Sequence, residues 1–228
     1  MSQPHTAPPF NPMPPVVVAL AVVIFGIEAV LSLASRGLLG GAEAIGWRVD
    51  LINRFAFSPQ IFDRMLESGT WPLDQAMRMV TYPFIHLAFT HVLFVLVFLL
   101  ALGKMVGEIF HPLALLAVFF GSAAAGALAY ALLMNDPNAL VGGYPAVYGL
   151  IGAYTFLMWT GLGAAGENRL RAFTLIGVLL GLQLVFGLLF GASNWWVAEV
   201  AGFVTGFLLS FVVSPGGFGR VMQKLRQR

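Results

Sequence analysis

The chain has 228 residues, of which 59% are hydrophobic and only 10% charged, with a mean hydropathy of +0.86; this composition excludes a soluble globular domain and identifies an integral membrane protein of single-domain size. Twelve Lys and Arg against ten Asp and Glu leave a net charge of +2, too small a surplus for a nucleic-acid surface, so no nucleic-acid partner is expected. The absence of cysteine rules out disulfides, thiolate chemistry and cysteine metal sites, and His5, His86, His91 and His111 form no metal-ligand motif, so neither a metal nor a cofactor is expected.

Residues 1–14 read as a flexible, proline-rich tail without Lys or Arg, unlike the basic start of a cleavable signal peptide. Six apolar spans follow in the membrane region 15–215, near the ~20 residues that a helix needs to cross the hydrocarbon core. They cover about 15–35, which contains Glu28, then 84–103 and 113–135, a shorter span at 145–163, then 172–191 and 197–214, which contains Glu199. Pro137 and the GGYP turn break helix, so the fourth span is expected to begin at Pro145, where a fixed φ suits the first turn. A basic tail, 216–228, closes the chain.

The first loop, 36–82, is long enough to hold structure of its own. Ser58 and Pro59 supply an N-cap and a first helical position, Ile61, Phe62, Met65 and Leu66 form one apolar face, and Gly69 is a stop signal. Such a face suits equally a helix lying in the outer leaflet and one packed on the bundle. Lys104, Arg169, Arg171 and the basic tail fall in short segments on the side of the termini, whereas Arg36, Arg48, Arg54, Arg64 and Arg78 share the long loop. Short loops dominate the positive-inside rule, so both termini are expected to be cytoplasmic, with Trp195 and Trp196 at the outer interface. The absence of a signal peptide and the compact six-span form point to a bacterial inner membrane.

Carboxylates inside apolar spans need a partner or water. Nothing in the sequence names a partner for Glu28, which reads as structural. On the sixth span Glu199 is followed by Gly202 and Gly206, and Gly149 and Gly152 lie on the fourth; glycines so spaced allow two helix backbones to approach closely.

Several segments recur in a telling order: RMVTYPFIH with Arg78, Thr81, Phe84 and His86; His91 after it; GSAAAGALAYAL; GGYPAVYGLIGAY; and EVAGFVTG. Over roughly residues 75–215 they resemble the rhomboid family of intramembrane serine proteases. The first is similar to the family's W-R-x-x-T-x-x-F-x-H entry into the second helix, with Ala76-Met77 in place of the tryptophan. The fourth is similar to G-x-S-G-x-x-Y/F-G-L-x-G, and the last to H-x-x-G-x-x-x-G. The resemblance implies an all-α, rhomboid-like bundle of six transmembrane helices with a long first outer loop.

It also implies where chemistry should be and is not. Tyr144 stands where the family has its serine nucleophile and Glu199 where it has the histidine base. Pro145 replaces the following glycine, Val95 replaces an oxyanion-site asparagine, and only His91 of those polar positions remains. A phenol with a pKa of about 10 is a poor amide nucleophile and a carboxylate with one of about 4 a weak base, so proteolysis is not expected. The Tyr144 hydroxyl is expected to donate to Glu199, with Tyr148 one turn on packing beside it.

By the same resemblance, the chain is expected to bind transmembrane segments of client proteins, or to join a larger membrane complex, at an opening between the second and fifth helices near Leu188, Leu189 and Phe190. Two other readings differ in class. A hydrolase with relocated chemistry would use Ser122 or Ser193, or Glu199 with His91. A small ion path would use Glu28 and Glu199, but the sequence has no inverted repeat to support it.

Overall fold

The computed structural model describes residues 12–134, 136–190 and 193–217. Residues 1–11 and 218–228 of the two tails, His5 included, and the Phe190 side chain lie outside the described part.

Among the described residues, six helical spans are long and apolar enough to cross a membrane: α1 (Pro15–Ser35), α6 (Phe89–Gly107), α7 (Pro112–Leu133), α8 (Tyr144–Ala164), the span Arg169–Leu189 that carries α9 (Thr174–Phe190), and α10 (Trp196–Val213). Between the first two lie four short helices, α2 (Trp47–Phe55), α3 (Pro59–Ser68), α4 (Leu73–Ala76) and α5 (Arg78–Thr81). The described chain has no named strand; its one ladder fragment is a bridge in which Phe57 N donates to Leu140 O at 3.1 Å and Leu140 N to Phe57 O at 2.8 Å. That bridge ties the first loop to the segment entering α8.

Proline in the first turn starts α1, α3, α7 and α8, where its missing N–H removes no helical hydrogen bond. In α3, Gly69 closes the helix with a left-handed φ of 66°. Its Phe62 and Met65 are buried, with Phe62 edge-on to Trp71 at 5.9 Å, and α3 packs on α7. The bundle thus takes the Phe62 and Met65 part of the apolar face, whereas Leu66 is left exposed.

Two expected boundaries move. The second span begins at Phe89 rather than 84, because Tyr82–Phe84 form a 3-10 turn and both Ile85 and Ala88 are extended. The fourth begins at Tyr144, with Pro145 second in the helix, and runs 21 residues, nearly the 22 of α7, so it is not a short span.

The core is built around α8, which packs against α6, α7 and α10. Its contact with α10 is backbone against backbone. A Cβ on Gly206 would run into the Gly149 carbonyl, one on Gly202 into that of Pro145, and one on Gly152 into that of Phe203. From α7, Gly126 lets the Ala198 carbonyl within 2.7 Å of where its Cβ would sit. Glycine is required at these places because the obstacle is main chain, which cannot rotate away. In contrast α9 is peripheral: 12% of its membrane window is buried, against 56% for α8.

Candidate functional site

The site lies where the turn before α8 meets α6 and α10. Gly142 has φ 92°, and a Cβ there would enter the His91 ring, so only glycine fits. Its N–H donates to the Tyr82 carbonyl at 3.1 Å. The next N–H, of Gly143, donates to His86 Nε2 at 3.2 Å, and Val95 Cγ1 would lie 2.8 Å from a Cβ on that glycine. The fully buried Tyr82 is fixed in turn by its hydroxyl, which donates to the Ala123 carbonyl on α7 at 2.9 Å.

This clamp sets the direction of Tyr144. Its ring stacks on His91 with centroids 4.8 Å apart and planes at 22°, and His91 meets His86 edge-on at 5.0 Å. The expected Tyr144–Glu199 hydrogen bond is absent. Instead Glu199, buried on α10, accepts from Gln183 Nε2 of α9, with the phenol of Tyr148 near enough to interact with it electrostatically. The correction is one helical turn. Tyr144 is the first residue of α8 and is drawn to the imidazole, while Tyr148, four residues deeper, is level with a carboxylate that is itself inside α10.

The other expected positions can now be placed. Pro145 and Gly202 form part of the α8–α10 seam, as does Gly206. Val95 is fully buried and turns only carbon toward the turn, offering no hydrogen-bond donor. His91 Nε2 is buried without a hydrogen-bond partner. Ser122 is buried against Gly149, and its Oγ likewise has no partner. Ser193 lines a separate cavity of about 600 Å³ with Asp136, Asn194 and Trp195, and neither serine is hydrogen-bonded to a base among the described residues.

Glu28 is not without a partner. Arg48 of α2 grips it with Nη2 at 2.8 Å and Nη1 at 3.0 Å, and the Ser32 hydroxyl donates to it at 2.6 Å. The same Nη1 donates to the His86 carbonyl at 2.8 Å. A continuous polar chain therefore runs from α1 through Arg48 and His86 to the N–H of Gly143. Arg48 and Gln183 are the site residues that sequence reasoning missed. Gln183 had a signal, being the lone amide in a strongly apolar span, where such a group seeks a partner across helices; Arg48 had none, since it is one of five arginines in the long loop.

His86 must accept from Gly143, which requires a neutral ring with a free Nε2. Burial first, then the neighbouring His91 and Arg48, push its pKa from 6.5 to about 3, against the opposing pull of Glu28 and the Phe84 backbone. Because the folded pKa is depressed, the unfolded chain binds more protons between pH 6.5 and about 3, so stability falls as pH is lowered through that window. At pH 5 this single group is expected to cost about 2 kcal/mol relative to neutral pH. Thermal unfolding in detergent should lose much of its acid sensitivity in His86→Gln, whose amide oxygen still accepts; an unchanged pH profile would show that His86 is not the group responsible.

Comparison with known proteins places this geometry in context. A family model described as Rhomboid domain matches residues 73–216. RHOMBOID-like protein 4 of Arabidopsis thaliana is 28% identical over 143 residues, which is 61% of this chain and 34% of that protein. The chain thus spans about a third of the length of that relative.

Proposed function

Since the chain belongs to the rhomboid family, we propose that it is a member without protease activity, one that binds transmembrane segments of client or partner membrane proteins as an adaptor, quality-control factor or complex subunit. The observation that carries this reading is the occupation of the cleft by its own side chains. Glu199 is taken up by Gln183, and Tyr144 lies flat on His91.

Amide hydrolysis needs a nucleophile within reach of a base and donors aimed at the developing oxyanion. Here the position of the nucleophile holds a phenol, the position of the base holds a carboxylate committed elsewhere, and Val95 supplies no donor. What persists is a helical scaffold with one loosely held member. Gln183–Glu199 is the side-chain hydrogen bond that fastens α9 to the bundle among the described residues, while Leu182, Leu188 and Leu189 on α9 and Phe94 and Val97 on α6 are exposed. Those apolar surfaces support docking of a client helix at the α6–α9 side by van der Waals packing. The preferred setting is a bacterial inner membrane with both termini cytoplasmic, following the distribution of Lys and Arg.

The test combines two readouts on the full chain. A fluorophosphonate probe is expected to leave the reconstituted protein unlabelled, and transmembrane substrates of active rhomboids are expected to remain uncleaved. Gentle-detergent purification from native membranes is expected to bring down a membrane protein whose recovery falls when Leu188 and Leu189 are replaced by polar residues. Labelling at Ser122 or Ser193 would overturn the proposal in favour of relocated hydrolase chemistry.

A further inference from the structure

Between α1 and the first loop lies a groove that the degenerate cleft does not use. It has a volume of about 540 Å³ and is lined by Gly26, Val30, Trp47, Leu51, Phe55 and Phe84, among others. Trp47, Leu51 and Phe55 recur every fourth residue, so one face of α2 forms a wall, while Arg48 on the adjoining face is turned to Glu28. The one hydroxyl in the lining, of Thr81, donates to the Phe55 carbonyl at 3.1 Å. Apart from the indole N–H of Trp47, the groove thus offers an occupant no free polar side-chain group.

Its depth decides what the occupant is. Gly26 lies within membrane helix α1, and at ~1.5 Å per residue it is roughly 13 Å from the helix end at Ser35. The groove therefore reaches toward the bilayer midplane, where the surrounding medium is hydrocarbon. A transmembrane helix of several turns is too large: a single turn, ~10 Å across and ~5.4 Å tall, takes up roughly 420 Å³, most of the groove. A slender, flexible hydrocarbon fits. A Cβ at Gly26 would meet nothing within 4 Å, so this glycine leaves space that no side chain of the protein fills.

We propose that this groove is a binding site for one acyl chain of a bilayer phospholipid, which lies between α1 and α2 and completes the wall of the fold there. The site is independent of how the cleft functions.

The protein purified in mild detergent from membranes rich in phosphatidylethanolamine and phosphatidylglycerol, and examined intact by native mass spectrometry, is expected to retain one phospholipid per chain. Gly26→Leu, whose side chain enters the groove, is expected to lower that retention roughly tenfold, the factor carried by displacing about two buried methylene groups. Gly177→Leu on α9, where a Cβ also meets nothing, should retain the lipid as the parent does, and Val30→Phe provides a second blocking variant should Gly26→Leu fold poorly. Loss in the groove variants alone supports the site. A parent without retained lipid, equal retention in all variants, or a co-purifying polypeptide displaced by Gly26→Leu overturns it.

Discussion

Replacing Gly206 by leucine is expected to separate α8 from α10 and to abolish the stable fold. The Cβ alone would enter the Gly149 carbonyl, and relief requires one helix to move as a whole. Overpacking in a core that can adjust costs ~1–3 kcal/mol; here the neighbour is main chain, so the loss should exceed that range. The same shift would open the contacts at Gly202 and Gly152, which lie along the same seam. The control is Gly161→Leu on α8 itself, where nothing stands within 4 Å of a Cβ. It removes a glycine from the same helix without touching the seam, so its thermal unfolding should match or slightly exceed the parent's. Equal behaviour of the two variants would mean that backbone proximity does not hold these helices.

Arg48→Ala should produce the second large effect, about 3 kcal/mol of destabilisation, at the lower end of what breaking a buried ion pair costs because Arg48 itself is partly exposed. Glu28 is 1% exposed and would keep only the Ser32 hydroxyl as a partner. In a chain of this size that loss corresponds to a drop in Tm of roughly 6–12 °C. Glu28→Leu combined with Arg48→Leu should recover most of it, since removing both charges leaves none buried and unpaired. Recovery should stay incomplete, because the His86 carbonyl still loses its donor. If the double variant is as unstable as Arg48→Ala, the burden lies in the packing of the arginine rather than in the stranded carboxylate.

These two contacts also mark what a sequence can and cannot reveal. The α8–α10 seam was legible because glycines four residues apart on a helix share a face, and Gly202 and Gly206 can be read without knowing their neighbours. Membrane spans were legible for a similar reason, hydropathy being local; the boundary errors at Phe89 and Tyr144 arose where extended backbone and a helix start depend on clamps from elsewhere. Glu28 and Arg48 are 20 residues apart across a loop whose path is set by α2 and α3 packing, and no periodicity links them. The cleft failed in an instructive way. Tyr144 and Tyr148 both face it, and choosing between them depends on relative depth along α8 and α10, which spacing within one helix does not give. His91 was identified from its place in a motif, but its role as a stacking platform follows from Gly142, whose missing side chain admits the ring.

The glycine seam has a bearing on how such a chain can change over time. Its fit depends on side chains that are missing, at positions that take no part in the polar contacts of the cleft. Substitutions at Tyr144, Tyr148, Gln183 or Glu199 therefore leave the main interhelical surface intact. A lineage built this way is free to exchange one chemistry for another, or for none, through intermediates that still insert and assemble, and this mutational tolerance comes from the backbone rather than from any property of the residues that vary.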